Sequence, residues 1–324
     1  MHPGIRKPSN LFMPGLAGPG RTIARNSSYM RNATSISSTF SSLTSTAKQI
    51  SAMVNEDLPI YSSRDLSPLY EAFTMEDDEN GNEVFVYSSF GYITDEWVVY
   101  FGQSDVRKRD LTLDIIRESL KRLPDEDVYP EAPSNITVFS LPIDETFYLK
   151  KPKLGLAFVG TGLLPKLVLY EAQTMELLLR NPHPHIIRYH GCLIERGRIV
   201  SLVLDRLPDT LYYRLEKPSP KAKPFDVKNC MRKIESAVCH LHKLGLAHND
   251  LTPMNVMIDN SDDPVLIDYG SCQPFGNELI TAGTIGWIDE EFTTSAQEHD
   301  HIALEKIRTW MEKLASPAHD ERTG

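Results

Sequence analysis

Apolar positions fall along the chain in three regimes. Over residues 1–55 they keep no sustained period of 3.6 or 2.0, and Ser, Thr, Gly and Pro dominate, as in Thr34-Ser35-Ile36-Ser37-Ser38-Thr39. Such a stretch buries too little to offset its ordering entropy and reads as a disordered tail. From 56 to 133 the pattern becomes that of an accessory α/β segment. Val84-Phe85-Val86-Tyr87 and Trp97-Val98-Val99-Tyr100-Phe101 are β-branched and aromatic and predict two strands of a hairpin, joined through a Gly91-containing connection. Leu113, Ile116, Leu120 and Leu123 step by 3, 4 and 3, which lays one apolar stripe along a helix that Pro124 stops. In the second half, Val227, Cys230, Met231, Ile234, Val238, Leu241 and Leu244 share one face of a long helix ended by Gly245. Two apolar strands follow, Val256-Met257-Ile258 and Val265-Leu266-Ile267, around a turn at Asp262-Asp263-Pro264.

Charge divides the chain at the same place. The 324 residues carry a formal charge of −10, but residues 1–55 hold six basic residues and no Asp or Glu, leaving −16 on the rest. An acidic body lacks the basic footprint that nucleic acid or an anionic membrane requires, so neither is expected as a partner. No run approaches the roughly 18 apolar residues of a membrane span. Cys192, Cys230, Cys239 and Cys272 are widely separated with no CxxC pair, which favours a reducing intracellular setting, cytoplasmic or nuclear. The acid-free, Arg- and Ser-bearing start also suits a mitochondrial transit peptide, but Pro3, Pro8, Pro14 and Pro19 break the helix such a peptide forms, and the tail is preferred.

Chemistry enters with spacing. Glu76 to Gly81 has the look of a calcium loop, yet its first position is Glu76 and its twelfth Tyr87, so no bidentate ligand closes it and an acidic turn at Asn80-Gly81 is the better reading. His183, His185, His190 and Cys192 offer soft ligands, but Pro182 and Pro184 hold the first two in an extended turn, and a structural role is preferred over zinc. The hairpin after the long helix is different: it carries Asp250, Asn255 and Asp268 at its ends, where two carboxylates and an amide can converge on one point. That set suits Mg²⁺ with phosphate attached, because Mg²⁺ takes one or two protein carboxylates and completes its shell with phosphate oxygens and water.

Here the residues resemble a known family. His248-Asn249-Asp250 through Asn255 resembles the HRD-x-x-x-x-N catalytic loop of the eukaryotic protein kinases, and Asp268-Tyr269-Gly270 resembles their DFG. Gly283-Thr284 through Glu291 resembles the GTxxYxAPE stretch, and Asp300-His301-Ile302 the start of the helix whose Asp anchors the catalytic loop. Ser201 to Leu207 resembles the strand and hinge that hold adenine, with Leu204 at the gatekeeper place and the backbone near Asp205 and Leu207 facing the base. Phe147-Tyr148-Leu149-Lys150 resembles the VAIK strand; Glu171 is the preferred partner of Lys150, with Glu176 and Lys151 as the slipped alternatives.

The resemblance implies an α+β, bilobal protein-kinase-like fold over 134–316, with a small β-rich lobe, a mainly helical large lobe shortened after the Asp300 helix, and a C-terminal tail over 317–324. It implies ATP and Mg²⁺ as cofactors and a protein substrate. Asp250 would be the proton acceptor, Asn255 and Asp268 the metal ligands, and Lys150 with Glu171 the phosphate-positioning pair. Leu204, Asp205 and Leu207 would line the base site, and His248, Thr284, Glu291 and Asp300 would be structural or substrate-docking residues. The first functional expectation is a Ser/Thr protein kinase, the second a pseudokinase acting as a scaffold. A small-molecule phosphotransferase is third, disfavoured by the Gly283 to Glu291 segment. The sequence also departs from the family. Ser134 to Thr146 has no glycine to close over phosphates, Tyr148 stands where a small Ala is usual, Asn249 replaces the Arg that pairs with an activation-loop phosphate, and Thr252 replaces a Lys.

Overall fold

The computed structural model describes residues 58–74, 84–218, 224–281, 283–284, 286–289 and 292–315. The tail over 1–55, the acidic turn around Asn80-Gly81, Glu291 and the segment 317–324 lie outside the described residues. No helix among the described residues is long and apolar enough to cross a membrane. The chain divides into two compact units, each of which is described by itself.

The first unit runs to Glu131 and also takes in Lys151–Lys166 and Glu195–Val200. Its frame is an antiparallel sheet in the order β1 (Leu69–Phe73), β2 (Phe85–Ile93), β3 (Val99–Ser104) and β4 (Lys121–Arg122). The expected hairpin is β2 with β3, but its turn lies at 94–98, where Thr94 Oγ1 accepts from Glu96 N and Val98 N. Gly91 sits inside the strand instead of in the connection, because a side chain there has no room: a Cβ would lie 2.7 Å from Leu154 Cδ1. Leu154 is fully buried, a burial that contributes about 1.5–3 kcal/mol. Lys151 rests over the Trp97 ring and Arg196 bonds Asp125, Glu96 O and Trp97 O, which is how the two later segments join this unit.

The helix α1 (Leu113–Ser119), capped by Thr112, is shorter than its apolar stripe. Leu120 turns extended, and Lys121 and Arg122 pair with Phe101 and Tyr100. Strand pairing satisfies those backbone groups as well as another helical turn would, and the 3-4-3 spacing does not separate the two outcomes. Ile116 and Leu120 then pack with Leu58, Ile60, Leu66, Phe90 and Tyr100 into the core.

The second unit holds the residues that resemble the kinase motifs. Strand β5 (Phe147–Lys150) precedes the helix α2 (Leu163–Arg180), after which come β6 (Tyr189–Glu195) and β7 (Arg198–Asp205). The sheet order is β5-β7-β6, with Tyr148 opposite Leu204 and Lys150 opposite Leu202. Short elements β8 (Asp209–Thr210) and α3 (Leu211–Glu216) lead to α4 (Val227–Lys243). Asp226 caps α4 by accepting from Asn229 N, its buried face runs from Cys230 to Leu241, and Gly245 leaves it at φ +79°. That positive φ costs glycine nothing, which makes it the natural residue past a helix end.

Then come β9 (Leu246–Ala247), β10 (Val256–Ile258), β11 (Pro264–Leu266), β12 (Gln273–Pro274) and α5 (Gln297–Ala315). The β10–β11 hairpin forms one residue earlier than the apolar run implies. Ile267 leaves the ladder to donate its N–H to Asn255 O and to accept from His248 Nε2. The architecture is α+β, as the resemblance implies.

Candidate active site

The loop from His248 to Asn255 is fixed from beneath. Asp300, on the first turn of α5, is fully buried, and its carboxylate accepts from His248 N, Asn249 N and His242 Nε2 at 2.8–2.9 Å. A buried carboxylate is tolerable only when its lone pairs are met in this way. His248 is also fully buried: Nε2–H donates to Ile267 O at 3.0 Å and Nδ1 accepts from Asp250 N. The loop is thereby tied both to the strand exit before Asp268 and to the helix below.

Asp250 projects from this loop with both oxygens engaged. Oδ1 accepts from Thr284 N at 2.9 Å and Thr284 Oγ1 at 2.7 Å, and Oδ2 accepts from Asn255 Nδ2 at 3.1 Å. Asn255 Nδ2 also reaches Asp250 O, so the amide nitrogen is spent on the loop and its orientation is set. Thr252 Oγ1 accepts from Met254 N and Asn255 N, a buried turn contact in the place where a cation is usual in the family.

On the opposing strand end Asp268 adopts a left-handed conformation, φ 62° and ψ 78°. Lys150 Nζ donates to Asp268 Oδ1 at 2.8 Å and to Glu171 Oε1, and Glu171 Oε1 also accepts from Tyr269 N at 3.0 Å. One glutamate on α2 therefore joins the lysine strand to the segment after Asp268. Glu176, the slipped alternative, is used elsewhere: it accepts from Thr137 N, Thr137 Oγ1 and Tyr189 OH. Lys151 belongs to the first unit. Complete burial pushes the Tyr269 hydroxyl and the Cys272 thiol well above their ordinary pKa values, so both stay neutral.

The segment expected to hold the base is built otherwise. Leu204 is buried, and the Asp205 N–H is taken by Arg188 O. Leu207, beyond it, is half-buried. Arg206 folds back from the hinge, donating to Glu145 O and Phe147 O while its guanidinium lies 5.9 Å from the Tyr148 ring centre. Tyr148 and Lys150 are two residues apart on one strand and so share a face. The ring thus stands on the lysine's side of the sheet.

The soft-ligand cluster disperses onto separate partners. His190 Nε2 lies 2.6 Å from Asp205 Oδ1, Cys192 Sγ meets Tyr189 OH, His183 Nε2 meets Ser236 Oγ, and His185 Nδ1 meets Pro264 O. Burial raises the Cys192 thiol to about 11.

Three participants were not legible as such: the Tyr269 amide on Glu171, the Arg206 fold-back, and the side chain of Asn249. An amide N–H leaves no sequence signal, and Arg206 looks like an ordinary surface residue until the hinge is built. Asn249 was visible only as a departure from the family pattern.

The chain is also similar in sequence to known proteins. The family described as protein kinase domain matches residues 161–304. The chain is 31% identical over 138 residues to the serine/threonine-protein kinase/endoribonuclease IRE1 of Hypocrea jecorina, covering 36% of this chain and 11% of that protein. It is 33% identical over 91 residues to the maternal embryonic leucine zipper kinase of Xenopus laevis, covering 28% and 14%. With the human non-receptor tyrosine-protein kinase TNK1 it shares 27% identity over 105 residues, covering 32% and 16%. The aligned stretch is thus a small part, 11–16%, of each of these relatives. Lys150 and Tyr148 precede the matched family stretch, while Leu204 to Leu207 fall within it. The likeness to the protein kinase superfamily is thus carried by residues 161–304, under half of the chain, and it is a divergent one.

Proposed function

We propose that the domain over 134–316 is a protein kinase that transfers the γ-phosphoryl group of ATP to Ser or Thr hydroxyls of a protein substrate inside the cell. The single observation that carries this reading is Asp250 held by Thr284 and Asn255 while Lys150, Glu171 and Asp268 stand joined.

In this reading Asp250 accepts the proton of the substrate hydroxyl. The Thr284 and Asn255 donors fix the direction of its carboxylate, so no reorientation is needed when the acceptor arrives. Lys150 neutralises phosphate charge from a position set by Glu171, and Glu171 is itself set by the Tyr269 amide. Thr284 beside Asp250 supports the short hydroxyl of Ser or Thr as the acceptor. The donor set fits Mg²⁺: Asp268 supplies a carboxylate, and the Asn255 nitrogen is bonded to the loop, which leaves its amide oxygen as the ligand atom. When bound, the cation supplies charge neutralisation across the phosphates. The loss of a lysine at Thr252 removes one positive charge from the transferring group and makes for slow turnover. The free cysteines, three of them buried, support a reducing compartment.

The test is transfer of labelled phosphate from ATP to matched Ser, Thr and Tyr peptide libraries by the full chain. Asp250→Asn is expected to lower it by a factor of about 10²–10⁴. Label on Tyr alone would reject the Ser/Thr assignment, and equal labelling by wild type and Asp250→Asn would reject the site. A second reading, a nucleotide-poor scaffold, is favoured by one observation, the Tyr148 ring and Arg206 at the base end.

A further inference from the structure

Asn249 is 2% exposed, stands at φ +61° beside Asp250, and has every polar atom of its side chain engaged. Nδ2 lies 3.0 Å from each of Ala247 O, Ser271 O and Ser295 Oγ. Oδ1 accepts from His299 Nδ1 at 3.1 Å and Ala296 N at 3.4 Å. These partners belong to three different pieces of the second unit: the strand before the loop, the segment after Asp268, and the start of α5.

The contacts continue outward. Ser295 Oγ donates to Gln273 O at 2.9 Å, and Ser295 O accepts from Gly276 N at 2.8 Å. Ser271 Oγ meets Thr281 Oγ1 at 2.7 Å. At the far end of the segment a Cβ on Gly283 would lie 3.2 Å from Asn249 O and 2.5 Å from Ile288 Cγ2. The backbone therefore runs against Asn249 just before Thr284 bonds Asp250.

We propose that Asn249 is a positioning residue, a neutral clasp that holds the segment from Asp268 to Thr284 against the Asp250 loop with no phosphate group required. Its consequence for turnover rests on the kinase reading, while its structural effect does not. Every side-chain partner is a carbonyl, a hydroxyl, an amide or a ring nitrogen. Among the described residues His299 is the only titratable side chain bonded to the Asn249 side chain, and burial lowers its pKa, which favours the neutral ring. A buried amide with its donors and acceptor all satisfied fixes a single arrangement. A buried cation in the same place would need an anion to pair with.

The experiment is hydrogen exchange at the amides of Cys272 and Thr284 in the full chain, in wild type, Asn249→Ala and Asn249→Asp. Asn249→Asp keeps the size and the acceptor and loses the donors. Both variants are expected to exchange about tenfold faster at these two amides, with the Ile234 and Val238 amides of α4 unchanged. A role in packing alone gives another pattern: exchange rises in the segment and in the helix together in both variants. That pattern overturns the proposal, as does unchanged exchange in both variants. Should Asn249→Ala fail to fold, Ser295→Ala removes the hydroxyl between Nδ2 and Gln273 O and is expected to speed Cys272 exchange by a smaller factor. Phosphatase treatment of wild type is expected to leave both amides as protected as before, and a loss of protection at Thr284 contradicts a phosphate-free clasp. Calorimetric titration of the same samples with Mg-ATP reads the kinase assignment separately: absent binding with the expected exchange pattern rejects that assignment and keeps the clasp.

Discussion

Under the proposed kinase reading, Lys150 and Asp268 are the charged groups that a nucleotide's phosphates call for, while Tyr148, two residues along the same strand, is a large ring near an arginine where the base would lie. The two ends also differ in how they are secured. The lysine and loop end is braced twice: Glu171 takes both Lys150 and the Tyr269 amide, and Thr284 and Asn255 both bind Asp250. The base end is covered by Arg206, which reaches Glu145 O and Phe147 O through an exposed side chain. On the proposed reading, positioning of phosphate is built into the fold, and recognition of the base is a surface feature that single substitutions can alter.

The largest expected effect breaks the phosphate end. Lys150→Ala takes the ammonium from between Glu171 and Asp268, and the loss of a partner from a pair this largely buried costs up to about 3–5 kcal/mol. Mg-ATP binding by calorimetry should then fall below detection. Gly91→Ala is the control, because it acts in the other unit. The new Cβ meets Leu154 at 2.7 Å, an overpacking that costs about 1–3 kcal/mol in urea unfolding, and nucleotide affinity should stay that of wild type. Tyr148→Ala sharpens the comparison from the other side: it should tighten ATP about tenfold and leave inorganic tripolyphosphate unchanged. Equal gains for both ligands would show that the ring obstructs the phosphates and not the base. Arg206→Ala should act in the same direction by about 0.5–1 kcal/mol, the size of an exposed cation–π contact.

Acid should act on the first unit by a separate route. Burial raises the Glu71 carboxyl, but hydrogen bonds from Arg107 and the Lys108 amide outweigh it and bring its pKa below the ordinary 4.5. A depressed carboxylate contributes stability that is complete above its unfolded value and lost as pH falls through the folded one. Glu71→Gln should therefore lower stability at pH 7, where the charged carboxylate contributes in full, and flatten the loss of stability below about pH 4.5.

The fold was legible where period and chemistry coincide. The 225–245 helix, the following hairpin, and the ordered set Lys150, Glu171, Asp250, Asn255 and Asp268 could be read from spacing and from likeness to a family. What the chain hid was long-range. β1 is a weak apolar run that becomes a strand only because β2 offers it a partner. The stripe ending at Leu123 turns into β4 for the same reason, and Gly91 is glycine because Leu154, far along the chain, packs on it. Asn249 looked like a loss when set beside the family's arginine, and the structure shows the same position filled by a satisfied amide. Contacts of that kind depend on residues separated by tens of positions, and local pattern carries no record of them.

The most direct measurement is a calorimetric titration of the full chain with ATP and with inorganic tripolyphosphate, each with and without Mg²⁺, in wild type and Asp268→Asn. A complete phosphate end and a filled base end should give Mg²⁺-dependent binding of both ligands, with ATP no more than about threefold tighter, and loss of both in Asp268→Asn. Binding of ATP about a hundredfold tighter than tripolyphosphate, or binding that survives Asp268→Asn, would contradict the account.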